Sequence, residues 1–248
     1  MRIDYDEYAH DYSALNATRS LVTNQDDLDL AYPSPLAMTH YNWNYDDRFK
    51  AEVIRNVFRA YWSMSLAWGL LAEYAKEEDI TYDAVMLMRP DVWYHIDTDL
   101  LKHRFPLPDN VVFMPNFDTT VEDDKRKNDR FSYGSMSAMR IMTNRLATFV
   151  EATADQITRK ETKQPIDSEF VLGHHLHNHD ISVQPVRFPV TRIRLDGSIP
   201  GPDQERVENI CESGEDPVAC DMVKFGFNLH SGDSSDGTKR RCVLHVLC

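Results

Sequence analysis

The stretch from Thr81 to Tyr94, TYDAVMLMRPDVWY, decides how this chain is read. Five apolar residues, Ala84 to Met88, run straight into Arg89, Pro90 and Asp91. The shortness of the run, the β-branch of Val85 and the stop at Pro90 predict a strand buried on both faces rather than a piece of buried helix. Such a strand delivers a charged pair to its carboxyl end, where open α/β sheets hold their chemistry. Taken alone, the same residues also describe a core strand that finishes in a surface ion pair.

On the N-terminal side, Ile54, Val57, Phe58, Tyr61, Trp62, Ser65, Trp68 and Ala72 recur at spacings of three and four. This predicts a long helix from Asp46 to about Lys76, with its aromatic residues in the core and Arg55 and Asn56 on a solvated face. Residues 1–45 are polar and interrupted by Pro33 and Pro35, which reads as loops with one short helix. On the C-terminal side, Pro106 and Pro108 close a short helix or turn, and VVFMP (111–115) is a strand by its β-branched and aromatic content. A charged loop follows, then a helix from Met136 to about Thr158 whose apolar side holds Ala138, Met139, Met142, Leu146, Phe149 and Val150. Another helix starts at Pro165–Glu169 with Asp167 or Ser168 as its N-cap. ISVQPVRFPVTRIRLDG (181–197) alternates as one or two strands.

Strands alternating with helices predict an α/β domain with a mostly parallel sheet flanked by helices. The expected organisation is an irregular segment (1–45), the α/β domain (46–197) and an irregular, Cys-containing C-terminal tail (198–248) packed on it, in which only KFGFNLH and CVLHVLC look ordered.

Composition narrows the partners. With 40 acidic against 27 basic residues the formal charge is −13, so nucleic acid is set aside as the main partner. The acidic excess fits a site that holds a divalent cation and, through it, an anionic substrate. No run approaches the roughly 20 apolar residues of a transmembrane helix, and a soluble chain in the cytoplasm or a secretory lumen is expected. Cys211, Cys220, Cys242 and Cys248 lack the paired short spacing of a zinc site. Disulfides in an oxidising compartment and free thiols both fit them. Asn16-Ala17-Thr18 is an acceptor sequon that matters only in a secreted or lumenal protein.

Five segments stand in order: the long helix, the strand ending in MRPDVWY, NDRFSYGS (128–135), the Ser168–Glu169 helix start, and TRIRLDG (191–197). Over roughly residues 50–197 this set resembles a family of glycosyltransferase-like proteins with a nucleotide-sugar-binding fold of GT-A type. The strand and loop that hold the nucleotide base in such families lie before the part that is matched. The resemblance implies a GT-A-like α/β fold and transfer of a sugar from a nucleotide-sugar donor to a glycan or other hydroxyl acceptor. A divalent cation, Mn²⁺ or Mg²⁺, is implied as the Lewis acid on the leaving diphosphate.

Asp91 stands where the metal-binding Asp-x-Asp motif of GT-A enzymes would be, but Arg89 replaces the second carboxylate. Arg89 then contacts diphosphate oxygens with its planar fork or pairs with Asp91. Asn128, Asp129 and Arg130 offer an amide, a carboxylate and a cation to the sugar, and Gly134 lets backbone approach a ligand. The same segment also reads as an Asx-type turn capping the next helix. The resemblance makes Glu169 the acceptor-side base, with Asp129 the second catalytic carboxylate. His230 in NLHSG resembles, with one residue fewer before the glycine, the His-x-x-Gly element that completes some GT-A metal sites.

His174, His175, His177 and His179 cluster on the predicted helix, yet without a Glu in the usual place they read as structural or solvated. Arg192, Arg194 and Asp196 fit an ion-paired edge or a diphosphate clamp, the former preferred. A non-catalytic glycan-binding or scaffolding module on the same fold is the alternative function. A metal-dependent phosphate-ester hydrolase ranks last, because no motif of that class is present.

Overall fold

The computed structural model describes residues 18–31, 47–89, 92–95, 105–116, 127–151, 168–186, 188–193, 198–214, 219 and 241–246. In chain order its elements are β1 (Arg19–Asn24), α1 (Gln25–Ala31), α2 (Asp47–Glu77), β2 (Val85–Met88), β3 (Val92–Tyr94), β4 (Val111–Pro115), β5 (Phe131–Gly134), α3 (Met136–Thr143), α4 (Ser168–Asn178), β6 (Ser182–Val186), β7 (Val190–Arg192), α5 (Gly201–Ser213) and β8 (Arg241–Val246). They fall into two units, each assembled from separated pieces of chain. One comprises Met1–Tyr82, Arg140–Val171 and Lys239–Cys248, the other Asp83–Met139 and Leu172–Thr238.

The first unit is built on α2, the long helix expected from the spacing of its apolar residues. Ile54, Phe58 and Tyr61 lie one helical turn apart and are buried with Leu28, Phe149 and Val171. Phe149 meets Phe58 and Tyr61 edge-on, with ring centroids 5.5 and 5.4 Å away. Arg55 and Asn56 are exposed, as expected. Arg59 pins α1 to α2 through the carboxylate of Asp29, Nε donating to Oδ1 at 3.2 Å and Nη2 to Oδ2. β1 and β8 form an antiparallel ribbon, Arg19 opposite Val246, that lies against α2.

The helix expected to run unbroken from Met136 is interrupted. α3 stops at Thr143, and helix resumes over residues 146–151. At the break Asn144 N–H donates to Ile141 O, and the side chains of Thr143 and Asn144 both donate to Arg140 O. Side-chain donors thus take over the carbonyl that the continuing helix would have used.

The second unit contains a four-stranded sheet in the order β2-β5-β4-β6. β5 runs antiparallel to both β2 and β4, and only β4 and β6 are parallel. The expectation of a mostly parallel sheet is therefore corrected to a mixed sheet with helices. Parallel neighbours need a long crossover, and β4 and β6 have α3 and α4 between them in sequence. β5 instead enters between β2 and β4, reversing direction against each.

The burial expected of β2 falls on its neighbours. Among the described strands β2 pairs on one side only; Val85, Met86 and Leu87 are half-buried and Met88 is 42% exposed. β5 and most of β4 are fully buried. β3 and β7 make an antiparallel ribbon, Val92 opposite Arg192, whose Val92 and Val190 share a core with Phe113, Phe131, Tyr133 and Phe188. Phe131 stacks on Phe188 at 4.2 Å and Phe113 on Tyr133 at 4.8 Å.

The segment from 198 onward is not uniformly irregular. α5 places Val207 and Ile210 against Ala219, and β8 pairs with β1. α5 has Pro at its start and Gly214 at its C-cap, with φ 69° and its N–H on Cys211 O. These are a helix's own stop signals, which the sequence reading took for loop composition. Among the described residues no helix is long and apolar enough to cross a membrane.

Candidate functional site at the carboxyl edge of the sheet

Strand register brings the recognised motifs together. Met88 is opposite Phe131 at the last rung of the β2–β5 ladder, so Arg89 and Arg130 are the residues that flank that rung. Phe113 is opposite Tyr133 between β4 and β5, which brings Asn116 to the same edge. There Asn116 N–H donates to Val186 O at 2.9 Å, so β6 ends at this edge too. The carboxyl ends of β2, β4 and β6 and the approach to β5 through Asn128, Asp129 and Arg130 therefore share one side of the sheet. This is the side where α/β sheets hold ligands.

Local chemistry shapes this edge. Asn128 is fully buried, and its Oδ1 accepts the Arg130 N–H at 3.0 Å, an Asx turn that sets the entry of β5. The cap of the following helix is a different residue: Ser135 Oγ accepts the Ala138 N–H at 3.2 Å. The Tyr94 hydroxyl accepts from Arg89 N–H at 2.8 Å and donates to Arg89 O at 3.1 Å, so β3 is tied back to the end of β2. Beneath lie the rings of Tyr94, Phe131 and Phe188, with Tyr94 5.8 and 5.9 Å from the other two. Burial pushes the Tyr133 hydroxyl up to about 12, so it remains a neutral phenol in this apolar layer.

Arg130 is buried, whereas Arg89 and Asp129 are half-buried. Gly134 stands at the far end of β5, opposite Val85 and Val112. A Cβ there would lie 2.9 Å from Val111 O, so the backbone that Gly134 admits is that of β4. Glu169 lies in the first turn of α4, half-buried, in the other unit. Asp91, His230, Arg194 and Asp196 lie outside the described residues.

No protein-family model, curated protein or solved structure matches this chain. Its chemistry is therefore read from its own residues.

The histidines form a helix-end arrangement. His175 is buried, its ring 4.4 Å from that of His179, and His179 Nδ1 donates to His175 O at 2.9 Å. Asn178 and His174 side chains meet at 3.0 Å. Among the described residues no three His, Cys, Asp or Glu side chains gather as a metal site.

Three buried polar residues were not singled out from the sequence. His95 Nε2 lies 2.6 Å from Thr191 Oγ1, both buried, beside the β3–β7 ribbon. Asp203, with no exposed surface, takes the Nε and Nη2 of Arg192, each at 2.8 Å, and the Arg192 N–H at 2.9 Å. Arg206 adds a second cation at 3.5 Å and donates to Val190 O. Arg192 is thus committed to an ion pair that fastens α5 to β7, as the preferred reading of that strand had it. The partner was hidden because it sits in what read as tail.

Proposed function

We propose that this chain is a glycosyltransferase-like domain that moves a sugar from a nucleotide-sugar donor to a hydroxyl acceptor. The observation that supports this reading is that Arg89 of the RPD motif and Arg130 of the NDR motif flank the last rung of the β2–β5 ladder. Two planar guanidinium groups match the oxygens of a diphosphate leaving group. Asp129, half-buried and next to Arg130, supplies a carboxylate for sugar hydroxyls, whereas Asn128 is buried and shapes the turn.

In the GT-A-type form of this reading, Asp91 and His230 would hold a divalent cation, which would supply Lewis-acid neutralisation of the diphosphate. The described part of the edge combines Arg89 and Arg130 with one carboxylate, Asp129, so the guanidinium groups carry part of that neutralisation. An inverting transfer also needs a carboxylate that deprotonates the acceptor hydroxyl, the role that the resemblance gives to Glu169.

The test is thermal stability and turnover of the full chain with uridine- and guanosine-diphosphate sugars, with Mn²⁺ and then with chelator. A nucleotide sugar is expected to raise Tm, and Arg89→Ala and Asp91→Ala each to lower turnover about 100-fold, the scale of losing one transition-state charge contact. If no nucleotide sugar changes Tm and neither substitution changes turnover, the reading is wrong. Replacement of the second carboxylate by Arg89 favours a second reading, a non-catalytic glycan-binding module. It requires glycan binding that needs neither nucleotide nor metal.

A further inference from the structure

Arg145 has no exposed surface, and no carboxylate among the described residues pairs with it. Its guanidinium carbon lies 4.6 Å from the centre of the Tyr61 ring. Nη1 reaches the thioether of Met142 at 3.7 Å, Nη2 that of Met64 at 2.8 Å, and Nε has no hydrogen-bond partner. A buried cation left in this state is strongly unfavourable. The ring face recovers part of that cost. Thioether sulfur is a weak acceptor and recovers little.

The same protein shows how its other arginine forks are filled. Arg59 and Arg192 each place Nε and Nη2 on the two oxygens of one carboxylate, from Asp29 and Asp203. On the corresponding edge of Arg145, Nη2 has only a sulfur, at 2.8 Å, a separation characteristic of a charge-assisted bond to oxygen, and Nε has nothing. Met64 is half-buried and unbranched, so it swings aside more readily than a branched side chain. Met142 and Tyr61 are buried and hold the other sides of the guanidinium in place.

We propose that Arg145 anchors an oxyanion site covered by Met64. A carboxylate or phosphate group displaces the thioether and takes the Nε–Nη2 edge, in the way Asp203 takes that edge of Arg192. Arg145, Tyr61, Met64 and Met142 all belong to the unit built on α2, so this site is independent of the sheet edge and of the sugar-transfer reading.

The full chain is titrated with inorganic phosphate and, separately, with acetate, against chloride at equal ionic strength, and Tm is followed. A saturable rise of about 5 °C is expected for one of the two anions, the scale of a single saturated site. A response to phosphate assigns a phosphate-bearing ligand, and a response to acetate alone a carboxylate. Met64→Ala removes the cover and is expected to shift the midpoint to about tenfold lower anion concentration, because less binding-competent state has to be recruited. Arg145→Met is expected to abolish the rise.

The proposal is overturned if neither anion exceeds chloride in both the wild type and Met64→Ala, or if the rise survives in Arg145→Met. Should Arg145→Met not fold, Met64→Ala is compared with Met64→Leu, which keeps a cover without sulfur. Equal midpoints for those two would also sink it.

Discussion

Asp203 shows how much one buried carboxylate decides. Burial by itself would raise its pKa, but the side-chain and backbone hydrogen bonds of Arg192, and the charges of Arg192 and Arg206, hold it below the usual carboxylate range. Its stabilising contribution is therefore present above the unfolded pKa of about 3.9 and is lost as pH falls through the lower, folded value. Asp203→Asn leaves two arginines facing a neutral amide and is expected to destabilise by about 3 kcal/mol near neutral pH, with a shallower acid limb. Urea unfolding of wild type and variant between about pH 2 and 7 measures both effects. Arg145 is the counterpart: more deeply buried than Arg192, with a sulfur on Nη2 where Arg192 has a carboxylate oxygen.

Among the elements, β5 carries the sheet. It joins β2 to β4, all four of its residues are buried, and it starts from the Asx turn at Asn128. Its last residue is glycine because Val111 O comes within 2.9 Å of where a Cβ would stand. Backbone cannot give way as the far end of a side chain can. Gly134→Ala is therefore expected to cost about 1–3 kcal/mol by forcing β4 and β5 apart, read as a lower urea midpoint. The sheet edge at Arg89 and Arg130 lies at the other end of β5, so on the proposed reading any nucleotide-sugar binding is expected to persist in the folded variant. The break after α3 follows the same logic of local competition: Thr143 and Asn144 take the Arg140 carbonyl, and Arg145 turns inward.

For the molecule as a whole, neither unit is a continuous stretch of chain. The C-terminal quarter supplies α5 to one unit and β8 to the other. Cys211, at the end of α5, is disulfide-bonded. Of the four cysteines at most two are then free thiols. Alkylation of the denatured, unreduced protein is expected to add at most two groups per chain, rising to four after reduction, by intact mass. Four additions without reductant would contradict the bond. An oxidising compartment, in which Asn16-Ala17-Thr18 would be read as a sequon, agrees with such a bond.

The sequence by itself determined the elements whose side chains repeat with a period. α2 was legible in the three- and four-residue spacing of Ile54, Phe58 and Tyr61, β4 in VVFMP, and the start of α4 in the Ser168–Glu169 turn. Period reports which face of an element is apolar, because burial selects side chains by their direction from the backbone. It does not report the neighbour. Only the tertiary structure decided that β2 lies at the edge of the described sheet, that β5 reverses between β2 and β4, and that Met88 meets Phe131 at the rung next to Arg89 and Arg130. It also decided that Arg192 belongs to Asp203, eleven residues away and on a helix that had read as loop. Loop-closure entropy grows slowly with chain length, so a distant partner costs little more than a near one, and local pattern leaves that choice open.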